Sequence, residues 1–114
     1  MRIQQLKYII KIVETGSMNE ASKHLFVTQP SLSNAVRELE EEMGIKIFTR
    51  STRGITLTSD GVEFLSYARQ IVEQTELLEE RYKYNREKKE LFAVSAQHYA
   101  FVVESFASIL REND

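Results

Sequence analysis

Gln29, Ser33 and Arg37 stand four residues apart, so on a helix they share one face, each a turn beyond the last. Their chemistry is hydrogen bonding rather than bond breaking. A glutamine amide can pair bidentately with adenine, and an arginine guanidinium with guanine O6 and N7. Thr28, Ser31 and Ser33 add short hydroxyls, and a helix start adds free backbone N–H groups; both suit phosphate oxygens. Asn34 contributes an amide on the same stretch. Pro30 stiffens the start of the helix and offers a ring that fits against a thymine methyl. Further along, Arg50 and Arg53 flank a short turn, a place from which arginine can enter a narrow, negatively focused minor groove. Thr49, Ser51 and Thr52 can add phosphate bonds there, and Lys7 and Lys11 are candidate backbone contacts on the polar side of the first helix.

Other chemistries lack their parts. His24 and His98 are isolated and there is no cysteine, so no metal set is expected. The four glycines, Gly16, Gly44, Gly54 and Gly61, form no phosphate loop. No nucleophile elbow or triad context surrounds the serines. The expectation is a non-enzyme with no catalytic residues, no metal and no cofactor in this stretch.

These side chains need elements to hold them. Ile3, Leu6, Ile10 and Val13 make an apolar stripe, predicting a helix over residues 3 to 15 that Gly16 ends. Ser17 and Glu20 form an S-x-x-E capping box, starting a short helix through Ala21, Ser22 and Leu25 to about Phe26. Val27 turns inward. Thr28 caps a third helix, with Pro30 in its first turn, Leu32, Val36, Leu39 and Met43 as its buried stripe and Gly44 as its end. Two helices joined by a tight turn, the second opening with small polar groups, are the arrangement that presents a helix to the DNA major groove. Glu38, Glu40, Glu41 and Glu42 should face away from DNA phosphates or pair with basic residues nearby.

Ile45 to Thr49 and Gly54 to Leu57 read as the strands of a short hairpin, or wing. Thr58 caps a fourth helix expected to reach about Lys89, unusually long for so small a chain. Along it Phe64, Ala68, Ile71, Thr75, Leu78 and Tyr82 alternate four- and three-residue steps, a coiled-coil period of about 3.5 that predicts a dimer seam. Leu65 and Val72 widen its first half. Leu91 to Ala96 reads as a strand and His98 to Arg111 as a helix, too little to bury each other. The expected organisation is a winged helix-turn-helix over residues 1–58, a dimerisation helix over 59–89 and, over 90–114, the first strand and helix of an α/β domain whose remainder is missing; the alternative is that Phe101 to Leu110 docks back on the long helix or on a second subunit. The fold class is therefore mainly α.

Charge and composition fit this reading. The 114 residues carry a formal net charge of -2, yet residues 1 to 58 hold eight Lys/Arg against six Asp/Glu. Two copies side by side would strengthen that mild basic field. No apolar run approaches the roughly 18 residues of a membrane span, and the N-terminus is not a signal peptide, so a cytoplasmic protein is expected.

From Leu6 to Gly61 the chain resembles the N-terminal DNA-binding domain of the LysR-type transcriptional regulators. The resemblance rests on three runs in order: TQPSLS, ELE-x-x-x-G-x-x-x-F-x-R, and R-G-x-x-L-T-x-x-G. It implies that Gln29, Pro30, Ser31, Ser33 and Arg37 are recognition-helix contacts and Arg50 and Arg53 wing contacts. It implies that Ala21 is small because helices pack closely there, that the long helix pairs two subunits, and that LFAVSA begins an effector-binding domain. Double-stranded DNA and a second copy of the chain are the implied partners, as a homodimer or tetramer. A small-molecule co-inducer is implied for a full-length form about three times as long. Asn34 departs from the common pattern, which has a basic residue there. The competing reading is a winged-helix module that docks protein instead of DNA; the polar, arginine-bearing face from Gln29 to Arg37 disfavours it.

Overall fold

The computed structural model describes residues 1–102, with side-chain surroundings through residue 94. The chain divides into two units, Met1–Thr75 and the part from Glu76 onward. The first holds α1 (Ile3–Thr15), α2 (Met18–Leu25), α3 (Gln29–Met43), a hairpin of β1 (Phe48–Ser51) and β2 (Gly54–Leu57), and the opening of α4 (Ser59–Val102).

The helix ends follow local chemistry. Gly16 and Gly44 both adopt φ 70°, and their N–H groups donate to the Ile12 and Glu40 carbonyls. Ser17 accepts the Glu20 N–H as expected, but the Glu20 carboxylate turns to Lys23 Nζ at 3.4 Å. Thr28 accepts the Ser31 N–H, with Pro30 in the first turn of α3. The end of α2 is the surprise: Phe26 is left-handed at φ 56° and 94% exposed. Its N–H donates to the Lys23 carbonyl and that of Val27 to the Ser22 carbonyl, so the tight turn into α3 imposes the conformation. An aromatic side chain is costly there and packs on almost nothing. Phe26→Asn is expected to raise stability by about 1 kcal/mol, read as a higher urea midpoint; an unchanged or lower midpoint would count against strain at this turn.

Leu6, Ile9, Ile12, Leu32, Leu39 and Ile47 are fully buried, each contributing roughly 2 kcal/mol by burial. The α1 stripe is displaced from the expected one. Ile9 and Ile12 face α2 and α3, while Leu6 packs with Ala68 and Val72, and Ile10 and Phe64 border both clusters. Ile3 is 37% exposed, because the positions α1 buries are Gln5, Leu6, Ile9 and Ile12, and Ile3, its first residue, falls outside them. Met43 is likewise exposed: at the last residue of α3 it lies past the end of the core. Val27 is inward, as predicted. Gln5 is buried but satisfied, donating to the Ala35 carbonyl at 3.3 Å and accepting the Arg2 N–H at 2.8 Å.

The wing starts three residues later than expected. β1 and β2 are antiparallel, pairing Phe48 with Leu57 through Ser51 with Gly54, and Thr52-Arg53 forms the turn. Ile45 to Ile47 lead into it instead of pairing, since the Ile47 N–H is taken by Glu40 Oε2 at 2.7 Å.

Thr58 starts α4 as predicted. Its hydroxyl accepts the Gly61 N–H at 2.9 Å and donates toward the Lys46 and Ile47 carbonyls. The helix does not end near Lys89. It runs to Val102, so Leu91 to Ala96 is helical and the predicted strand is not formed. The physical reason is the absence of a breaker: no glycine or proline follows Gly61, and Leu, Phe and Ala accept a helix as readily as a strand. Of the separate helix predicted for residues 98–111, residues 98–102 belong to α4, and the remainder lies outside the described residues. No helix among the described residues is long and apolar enough to cross a membrane.

Candidate nucleic-acid interface

The exposed face of α3 is the face predicted. Leu32, Val36 and Leu39 are buried, which turns Gln29, Pro30, Asn34 and Arg37 to solvent and leaves Ser33 half-buried at the edge. Thr28 and Ser31 are exposed but engaged with each other, Thr28 Oγ1 donating to Ser31 Oγ at 2.8 Å. Their first task is therefore capping, and one hydroxyl proton of the pair remains to donate outward.

The wing comes up beside this face. Arg50 reaches across from β1 and donates to Ser33 Oγ at 3.0 Å. A groove bordered by Ser33, Arg37, Lys46, Thr49 and Arg50 runs between α3 and the wing. A second, bordered by Ser17, Asn19, Gln29, Arg50 and Ser51, runs along the start of α2. Arg50 borders both, so the predicted helix contacts and one wing contact form a single surface. Arg53 sits apart, in the turn, with its N–H held by Ser51 Oγ at 3.2 Å. The residues from 3 to 62 match the profile of the bacterial regulatory helix-turn-helix proteins of the lysR family. This chain belongs to that family.

Relatives agree. The chain is 35% identical over 77 residues to the HTH-type transcriptional regulator ClcR of Pseudomonas putida, covering 68% of this chain and 26% of that protein. It thus spans about a quarter of the length of that relative. Among solved structures it resembles a CbnR_DBD–DNA complex, with TM-score 0.70 and 38% identity over 75% of this chain and 99% of the other. It also resembles a BenM_DBD complex with catB site 1 DNA, with TM-score 0.72 and 30% identity, over 75% and 97% of the two chains. LysR-family members are regulatory DNA-binding proteins rather than enzymes, which agrees with the absence of a catalytic constellation from the sequence.

Two residues of this LysR-family surface escaped sequence reasoning. Lys46 borders the α3–wing groove; its only sequence signal was one basic residue between apolar ones. Glu40 points neither away from the site nor at a basic partner. Its carboxylate accepts the Ile47 N–H at 2.7 Å and the Phe48 N–H at 3.4 Å, tying α3 to the start of the wing. That explains the second glutamate of the ELE run: it fixes where Arg50 emerges. Glu38 lies 3.9 Å from Arg2 and Glu42 lies 2.6 Å from the Met1 ammonium, so these two do pair with positively charged groups of the chain. Lys11 is bound to Glu14 at 3.0 Å, whereas Lys7 is exposed. His24 is exposed on the last turn of α2. Among the described residues no cluster of His, Cys, Asp and Glu could hold a metal.

The predicted dimer row divides. Leu65, Ala68 and Val72 are buried within the chain's own core, with Phe64 packed beside them. Ile71 is 38% exposed. Thr75 is half-buried, and its hydroxyl donates to the Ile71 carbonyl at 2.8 Å. In the second unit Leu78 and Tyr82 are exposed, and so are Leu77 and Tyr84, which the predicted row omitted.

Proposed function

We propose that this chain is the DNA-reading part of a transcriptional regulator that acts as a homodimer, or a tetramer when full length, on an interrupted palindromic site. The carrying observation is one continuous surface: the polar face of α3 from Gln29 to Arg37, joined to the wing through the Arg50–Ser33 bond. The start of α3 enters the major groove. Gln29 and Arg37 contact base edges, Thr28, Pro30, Ser31, Ser33 and Asn34 line the approach, and Arg50 and Arg53 reach the flanking minor groove or its phosphates. The relatives crystallised on DNA support this assignment. A two-fold dimer places two such helices on two half-sites, which makes up for a modest charge per copy. The far greater length of ClcR supports a further part outside this stretch, and family membership supports a small-molecule co-inducer bound there.

Binding to a promoter fragment and to random duplex, measured across salt concentrations, tests the reading. Affinity should fall steeply with salt, with the promoter preferred. Gln29→Ala should relax base preference, while Lys7→Ala should weaken binding to all duplexes alike and lower the salt slope by about one. No preference over random duplex at any salt would sink the proposal.

A further inference from the structure

We propose that Asn34 is the positioning residue for Arg37, holding a guanidinium whose free N–H groups select guanine; this rests on the major-groove reading of α3. The Arg37 guanidinium donates to Asn34 Oδ1, one turn back toward the start of α3. A guanidinium has no acceptor, so the amide must face it with its oxygen. A bidentate asparagine–adenine pair needs that oxygen aimed at the adenine amino group, whereas here it is aimed at Arg37. The amide oxygen is thus spent on Arg37, and the Arg37 N–H groups left free form a donor-only edge. Such an edge matches the two acceptors of guanine, O6 and N7.

One of the two glutamates within reach of Arg37 is kept from competing. Glu40 and Glu41 stand three and four residues beyond Arg37, the spacing of a helical ion pair that would draw the guanidinium away from the start of the helix. Glu40 is held instead by the Ile47 and Phe48 N–H groups. Glu38 leans to Arg2 at 3.9 Å, and no ion pair to Arg37 forms among the described residues. Arg37 is therefore turned toward the helix start by Asn34 while its acidic neighbour is tied to the wing. In this chain the amide orients a guanidinium where the common family pattern carries a second basic residue.

The probe is the consensus duplex that the unaltered protein recovers from a randomised duplex pool, with each base pair then varied in turn. Arg37→Ala should flatten guanine preference at one base pair. Asn34→Ala should lower that same preference by about tenfold and leave the base pair read by Gln29 unchanged. In the Arg37→Ala background, Asn34→Ala should add less than about twofold. Intact guanine preference in Asn34→Ala, an equal loss at every base pair, or an undiminished loss in the Arg37→Ala background would each overturn the positioning role. If Arg37→Ala itself left every preference intact, or no consensus emerged, the major-groove reading would fall and this inference with it.

Discussion

Gly61→Ala is expected to destabilise the protein by about 3 kcal/mol, lowering the melting temperature by roughly 10 °C or more. A Cβ built at Gly61 would lie 2.1 Å from the Ile47 carbonyl oxygen, 3.0 Å from its carbon and 3.0 Å from Leu57 Cδ2. The obstacle is mainly backbone, and that backbone is fixed from several sides. The Ile47 carbonyl accepts the Thr58 N–H at 3.0 Å and the Thr58 hydroxyl at 3.3 Å. The Ile47 N–H is bonded to Glu40, and the Ile47 side chain is fully buried. To admit a methyl group, the first turn of α4 must lift from the wing or the Ile47 peptide must break its bonds. Gly44→Ala is the control. Its Cβ would meet open space, so only the left-handed φ of 70° is penalised, at about 1 kcal/mol. Urea denaturation of both variants decides it: a Gly61 variant no less stable than the Gly44 variant would remove the close approach as the reason for this glycine.

The same region shows what sequence could and could not disclose. Short-range chemistry was legible: Thr28 with Pro30, Gly16 and Gly44 each act within a few residues, and the end of α1 and both ends of α3 fell where these residues put them. Periodicity was legible where an element buries a single face, as in Leu32, Val36 and Leu39. It failed on α1, where two apolar faces overlap and Ile9 and Ile12, absent from the predicted stripe, supply the deepest contacts. It failed again at residues 91 to 96, where an apolar run could satisfy either period and only the lack of a breaker decided for helix. Long-range roles were hidden. Glu40 reads as one of four similar glutamates, and only folding brings Ile47 and Phe48 N–H groups to it. The Arg50–Ser33 bond joins positions seventeen residues apart. Composition alone suggests neither, although the polar face of α3 was identified residue by residue.

Ile71→Asp is expected to abolish stable dimerisation and to lower affinity for a two-half-site duplex by about 10²–10⁴, leaving affinity for a single half-site nearly unchanged. Leu65, Ala68 and Val72 are already buried against the chain's own residues, so a charge at any of them would attack the fold. Ile71 differs from them by its direction. At 38% exposure it lies outside that core, where an aspartate in a lone subunit keeps much of its water. In a dimer sealed along this row the same carboxylate would lose that water without gaining a partner, because the expected neighbours are apolar. The consequence for DNA follows from linkage: once two copies are joined, the second half-site is engaged at a high effective concentration, and separating the copies removes that advantage. Sedimentation reports the mass, circular dichroism the fold, and binding to one and two half-sites the coupling. A dimer mass retained by the folded variant would place the seam elsewhere on α4, and Leu77 and Tyr84, exposed and one heptad apart, would be the next row to test.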